Sequence, residues 1–226
     1  MAQQLEARRR TPLSKDRVLG AAVALADRSG IASLSMRKLA EELGVVPMAL
    51  YKHVANKEEL LDGMVDVVVG EIDPPVSGTA WKSAIRQRVL SARRALLRHP
   101  WASEVIESRS TPTPVVMGYM DSMIGMLRAG GFSLDLTHHT MHAMGSRLLG
   151  FSQELFDDSN SQMLDPEMRA TMQRDMGGKY PNIVELTQAI FHDTDSVVGP
   201  GCDDQFEFEF ALDLVLDGLE RLRQQG

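Results

Sequence analysis

The stretch from Ser35 to His53, Ser-Met-Arg-Lys-Leu-Ala-Glu-Glu-Leu-Gly-Val-Val-Pro-Met-Ala-Leu-Tyr-Lys-His, limits what this chain can fold into more than any other. Ser35 offers a hydroxyl that can accept from an orphan N–H in the first turn of a helix. Met36, Leu39, Ala40 and Leu43 then recur at helical spacing, so one face is apolar. Gly44 follows the last periodic residue, where a helix end often needs positive φ. Pro47 stands where a second helix would begin, and its missing N–H costs nothing there. Leu50 and Val54 give that helix an inward side, and Ala40 is small enough for close approach. The stretch predicts two short helices joined by a tight turn.

Such a helix-turn-helix places its second helix in the major groove of DNA, although the same shape serves as a plain corner between helices. Charge bears on the choice. The whole chain has a formal charge of −7, which argues against a nucleic-acid binder taken as a whole. Residues 1–60, however, hold 10 Lys/Arg against 7 Asp/Glu, and the remainder 14 against 24. A mildly basic head on an acidic body suits a protein that offers one end to phosphates, with chance asymmetry as the alternative. Arg8, Arg9 and Arg10 lie in a polar leader that reads equally as a phosphate or minor-groove contact or as a solvated tail.

Around this motif the periodicity predicts a first helix near 14–29, with Val18, Ala21, Ala22, Leu25 and Ala26 as its apolar stripe and Gly30 as its stop. Asn56 is a plausible N-cap for a further helix to about residue 71, with Glu58 and Glu59 favouring the dipole of its first turn. Asp73-Pro-Pro-Val-Ser-Gly-Thr79 is the clearest linker and sets the expected division: residues 1–72 a helix-turn-helix head with its connecting helix, residues 73–226 an all-helical body. Body helices are expected near 80–98, 101–108, 113–129, 133–156, 182–192 and 204–224, with a polar loop over 157–181 in which one helix near 165–175 is the alternative. Cys202 is the only cysteine, which excludes an intrachain disulfide and a cysteine-rich zinc site. No apolar run approaches the ~20 residues of a membrane span, and no signal-peptide core precedes Thr11-Pro12, so the expected location is cytoplasmic.

The segment Phe206-Glu-Phe-Glu-Phe210 alternates as a strand would, yet Phe206, Phe210, Leu214 and Gly218 continue at i+4 and favour a helix by length. Phe208, Leu212, Leu216 and Leu219 form a second apolar row. A helix apolar on two sides must be covered on two sides. One cover is the body core; the other is a partner subunit or, alternatively, a larger monomeric core. Residues 133–156 have similar character, so two helices from each protomer could build a four-helix dimer interface.

At this point the chain resembles the TetR family of bacterial transcriptional repressors. The resemblance rests on Gly30–Val46, on Leu50-Tyr-Lys-His-Val-Ala-Asn-Lys57 with Leu60-Leu-Asp62, and more loosely on Trp81, Arg93–Leu97 and Gly130–Leu134, which are similar to the tetracycline-repressor branch. It implies an all-α homodimer that binds a palindromic operator and lets go when a small molecule enters the body. It further implies DNA contacts at Arg37, Pro47, Met48, Ala49, Tyr51, Lys52, His53 and Lys57, with Arg37 on a base and Lys57 on a phosphate. Met36, Pro47, Met48 and Ala49 stand where polar groups are common in the family, so readout should lean on apolar contacts such as thymine methyls rather than on the tetracycline operator.

The ligand positions that the resemblance implies depart further. Ile106 stands at the position of a metal-binding histidine, Arg88 at that of an asparagine, Arg109 at that of a threonine and Asp73 at that of a histidine; Glu154 alone matches. Magnesium–tetracycline binding is therefore not expected, and no metal or cofactor is assigned. Met117, Met120, Met123, Met126, Met141 and Met144 suggest a Met-rich interior, read as core or as an adaptable ligand pocket, with Met120 and Met144 the chosen ligand candidates. Arg88 and Arg109 would suit an acidic or carbonyl-bearing ligand if they point inward, and would be ordinary solvated charges if not. His138 and His142 have metal-ligand spacing but lack an obvious third ligand. No nucleophile elbow, P-loop or dinucleotide fingerprint is present, so an enzyme is not expected. A DNA-binding dimer without any effector remains the alternative to a ligand-released repressor.

Overall fold

The computed structural model describes residues 12–76, 78–150, 178–182, 185 and 204–225. Among them every regular element is helical: α1 (Lys15–Ser29), a single 3-10 turn (Ile31–Ser33), α2 (Met36–Leu43), α3 (Pro47–Leu50), α4 (Lys57–Gly70), α5 (Trp81–Arg98), α6 (Trp101–Ser108), α7 (Pro114–Ala129), α8 (Leu134–Gly150) and α9 (Asp204–Gln225). The segments predicted at 157–181 and 182–192 lie largely outside the described residues, as do Arg8–Arg10, Glu154 and Cys202.

Local chemistry sets the boundaries. Ser14, Ser35 and Asn56 each accept a backbone N–H of the following first turn, from Arg17, Lys38 and Glu59 respectively. Gly44 closes α2 with φ 65° and ψ 36°, and its N–H returns to the carbonyls of Ala40 and Glu41. Thr113 caps α7, with Pro114 in its first turn.

The chain forms two compact units, one ending at Gly130 and the other beginning at Gly131. In the first, α1 to α4 enclose Val18, Ala22, Leu39, Leu50, Leu60 and Met64, all but inaccessible to solvent. The same core continues into Ala95, Trp101, Ala102 and Val105 of α5 and α6. The linker after residue 72 therefore turns the chain without interrupting the packing, because α6 sits against α4. Gly63 marks the closest approach of α1 and α4: a Cβ there would lie 2.7 Å from Leu19 Cδ2.

Helix α7 corrects one expectation. It buries Met123 and Leu127 in its second half and leaves Met117 and Met120, nearer its start, exposed instead of interior. In the second unit α8 packs on α9. Phe132, Met144, Phe208, Leu212, Leu216 and Leu219 are buried there, while Phe210 and Leu214 on the other side of α9 are exposed. The Phe206 and Phe210 rings stack with centroids 6.3 Å apart along that outer row.

Candidate nucleic-acid interface

The frame of the head decides which side chains face solvent. Leu39 and Ala40 from α2, Leu50 from α3 and Val54 after it point into the core. The opposite faces carry Arg37, Lys38, Pro47, Met48, Tyr51 and Lys52, all exposed, with Ala49 and His53 half-buried at the edge. Met48 is 72% exposed and Tyr51 45%, so the Tyr51 ring is not a core ring. Helix α3 proper is only four residues long, and the chain continues through Tyr51–His53 as turns, with the N–H groups of His53 and Val54 donating to the Leu50 carbonyl. It is shorter than the sequence pattern suggests because Val54 must fold back into the core before Asn56 starts α4.

Arg37 forms an i,i+4 pair with Glu41, Nε to Oε1 3.0 Å, with both side chains well exposed. A pair of that kind is worth about 0–1 kcal/mol, so the guanidinium can change partner at little cost. Lys57 is exposed at the first position of α4, where unpaired backbone N–H groups already favour anions. Next to it Glu59 accepts from the Ala55 N–H at 2.7 Å and from Lys15 Nζ at 3.1 Å. These bonds, the backbone one foremost, lower its carboxyl pKa below the ordinary value.

Helix α4 is held along its length by α5, α6 and the turn that leads to α7. Arg109, at the end of α6, donates from Nη1 to Glu58 Oε2 at 2.6 Å and to Asp62 Oδ1 at 3.3 Å. Thr113 donates to Asp66. At the far end, Arg98 donates to Glu71 from Nη2 at 2.5 Å and from Nε at 3.1 Å. His99 is buried between two carboxylates, Asp27 Oδ1 at 2.8 Å from Nδ1 and Glu71 Oε1 at 3.2 Å from Nε2. Trp101 Nε1 donates to the same Asp27 oxygen at 2.7 Å. Burial works to raise the Glu71 pKa, but the Arg98 and His99 contacts outweigh it and the net direction is down.

The expected ligand residues do not converge. Arg109 points at α4, and Ile106 packs against the head core, because α6 is short and both its faces are used. Met120 is exposed and Met144 is buried within the second unit. Arg88 does point inward, yet the carbonyls it meets belong to the chain itself: its Nη1 donates to Asp73 O and, at 3.4 Å, to Ile72 O. A cavity of about 310 Å³ lies beside it, lined by residues 73–76 and by Ala84, Gln87, Leu90 and Arg94. Among the described residues no cluster of three metal-ligating side chains occurs; His138 and His142 are ring neighbours, with centroids 4.6 Å apart.

Sequence reasoning missed the Asp27–His99–Glu71 bridge and the Arg109 and Thr113 struts. Their partners stand 28 to 72 and 47 to 51 positions apart, so no local pattern announces them. The one available signal was the acidic row Glu58, Asp62 and Asp66 at i+4 spacing on α4, which calls for cations or hydroxyls opposite.

Comparison with known proteins agrees with this geometry. The profile of bacterial regulatory proteins of the tetR family matches residues 18–64, and that of the tetracyclin repressor-like C-terminal domain matches residues 74–223. An HTH-type transcriptional regulator of Saccharopolyspora erythraea is 38% identical over 128 residues, a match that spans 56% of this chain and only 54% of that protein. The HTH-type transcriptional repressor DrrR1 of Streptomyces coeruleorubidus is 30% identical over 231 residues, 94% of this chain and 79% of that protein. Among solved structures, ActR of Streptomyces coelicolor in complex with actinorhodin superposes with a TM-score of 0.68 at 26% identity, covering 94% of this chain and 99% of that one. No described helix is long and apolar enough to cross a membrane. With a helix-turn-helix head, an all-helical body and family matches over both, the chain belongs to the tetR family of bacterial regulatory proteins and is a transcriptional regulator rather than an enzyme.

Proposed function

We propose that this protein is a homodimeric repressor that grips a palindromic operator in the cytoplasm and releases it when a small molecule binds the body. The observation that carries the reading is the head: Gly44, Pro47 and the buried Leu50 hold α3 so that Pro47, Met48, Tyr51 and Lys52 face solvent, with Ala49 and His53 half-buried at their edge and Arg37 exposed on α2. Arg37 reads a base, Met48 and Ala49 contact thymine methyls, Tyr51 and Lys52 follow the backbone with His53 at the edge, and Lys57 holds a phosphate. The functional division falls between residues 72 and 73, even though the core runs across it.

Dimerisation uses the outer row of α9 with Phe210 and Leu214, and sets the two α3 helices about 34–36 Å apart, one turn of DNA. Release runs through α4. The struts from Arg109, Thr113, Arg98 and His99 tie its first and last turns to α5, α6 and the α7 turn, so a ligand that favours a shifted α5–α6 changes the stance of both heads. The ligand site is the Arg88 cavity. Arg109 and Ile106 serve the coupling instead; Met120 and Met144, candidates from the Met-rich segments, do not line that cavity, and Glu154 keeps only the role that the family resemblance implies.

Selection of bound duplexes from a randomised library, followed by anisotropy on the winner at two salt concentrations, tests the reading. A palindrome with half-sites about one turn apart is the expected result. Weak, salt-sensitive binding without an enriched sequence from a ligand-free preparation overturns it.

A further inference from the structure

We propose that the cavity under residues 73–76 seats a small organic carboxylate, held by Arg88 and Arg94 in competition with the chain's own acceptors. The proposal rests on the ligand-released reading above and names the class of ligand.

The argument begins with the partners of Arg88. Its side chain is buried, only 9% exposed. Nη1 donates to two backbone carbonyls, those of Ile72 and Asp73. Its Nε is buried without any acceptor. The guanidinium carbon stands 4.9 Å from the centre of the Tyr119 ring. Burial pushes the Tyr119 hydroxyl up to about 12, so that neighbour is neutral as well. Among the described residues, its hydrogen-bond and ring partners are thus uncharged. A guanidinium taken out of water and hydrogen-bonded only to neutral acceptors recovers less of its lost hydration than one that holds a carboxylate directly. The Asp73 carboxylate feels the Arg88 charge but takes its own hydrogen bonds elsewhere: it accepts from Ser91 Oγ at 2.8 Å and from Arg94 Nη2 at 2.7 Å. Two guanidinium groups consequently border the cavity against one carboxylate, which leaves an excess of positive charge.

The remaining wall selects among anions. Pro74, Pro75, Val76, Ala84 and Leu90 are apolar, and Gln87 adds a neutral amide. An inorganic anion would lose water against this surface without compensation, whereas a carboxylate on a hydrocarbon or aromatic frame matches both halves. A planar carboxylate also suits the fork of an arginine.

The position gives binding a consequence. The carbonyls that Arg88 holds follow directly after α4, at the negative end of that helix. A carboxylate that takes the guanidinium competes with these carbonyls and with Asp73, and so loosens the exit of α4 from the head. Ligand and operator then disfavour each other through one side chain.

The test titrates the full-length protein with benzoate and 2-naphthoate, each beside its neutral amide, by calorimetry at neutral pH. A charge-assisted contact predicts that the wild type prefers each acid over its amide by about 10- to 100-fold. Arg88→Met should erase that preference. If that variant does not fold, Arg94→Gln, at an exposed position, should weaken the acids several-fold and leave the amides unchanged. Equal affinity for acid and amide, no binding of either acid by the wild type, or an Arg94→Gln protein that weakens acid and amide alike overturns the proposal. Operator anisotropy on the same sample separates the two readings. A protein that binds its operator but ignores carboxylates loses only the anion site. Charge-selective binding with no operator binding keeps the site and removes the repressor.

Discussion

The head and α9 both leave large apolar side chains in water, and they differ in what surrounds them. On the head, Val46, Met48 and Tyr51 project from a four-residue helix and its flanks, among Arg37, Lys38, Lys52 and Lys57. On α9, Phe210 and Leu214 project from a 22-residue helix beside Glu209, Asp213 and Asp217. Exposure alone does not distinguish them. Charge and rigidity do: short apolar groups amid cations fit a polyanion with methyl groups in its groove, whereas a long apolar row edged by carboxylates would be repelled by phosphates and fits a second copy of the same helix. The chain's net acidity therefore does not contradict nucleic-acid binding, because the opposing charges sit on different surfaces.

The strongest way to break this comparison is to charge the α9 row. Phe210→Glu with Leu214→Glu should turn dimer into monomer in sedimentation and reduce operator affinity by about 100-fold or more, through loss of the second head. A monomer that keeps full operator affinity would mean that α9 is not the interface.

The head can be sharpened by separating its two kinds of contact. Arg37→Ala should cost about 1–3 kcal/mol on the selected operator and little on random duplex, since a bidentate base contact carries the discrimination. Lys57→Ala should weaken both DNAs alike and reduce the slope of log K against log salt by about 1. Anisotropy over a salt series checks both; equal losses on both DNAs for both variants would remove the division between base and phosphate readers.

A smaller effect is expected at the turn itself. A Cβ at Gly44 would meet nothing within 4 Å, so Gly44→Ala isolates the conformational term of a φ of 65°. The expected loss is about 1–2 kcal/mol in thermal or denaturant unfolding, with the DNA contacts intact. No measurable loss would show that the turn relaxes into another geometry.

The smallest expected effect lies at the far end of α4. The carboxyl of Glu71 has a lowered pKa in the folded protein, so its contribution is complete above the ordinary glutamate range and is lost as pH falls below about 4.5. Glu71→Gln should therefore destabilise at neutral pH and flatten the acid limb of the stability–pH curve. A variant whose acid limb is as steep as that of the wild type would place the titration elsewhere.

The head was largely legible because its information is local. Ser14, Ser35 and Asn56 as caps, Gly44 at the turn and Pro47 at the start of α3 act on neighbours within four residues, and each sits where the periodicity predicts. The two rows of α9 were legible for the same reason: Phe208, Leu212, Leu216 and Leu219 are buried, and Phe210 and Leu214 are not. The ligand site was not legible. Arg88 and Arg109 carry the same side chain and similar resemblance-based assignments, yet one lies against the end of α4 and the other grips its first two turns. Met120 and Met123 are three positions apart, and only the second is inside.

The sequence by itself determined the helical class, the helix-turn-helix, the direction of charge asymmetry and the amphipathic faces, because periodicity, capping and turn chemistry operate through bonds and contacts a few residues long. Only the tertiary structure decided that the core crosses residue 72, that His99 sits between Asp27 and Glu71, that Arg109 braces α4 and that Arg88 is buried against the carbonyls of Ile72 and Asp73. These depend on which helices meet, and a long polar side chain takes whichever partner packing places within reach of its flexible arm.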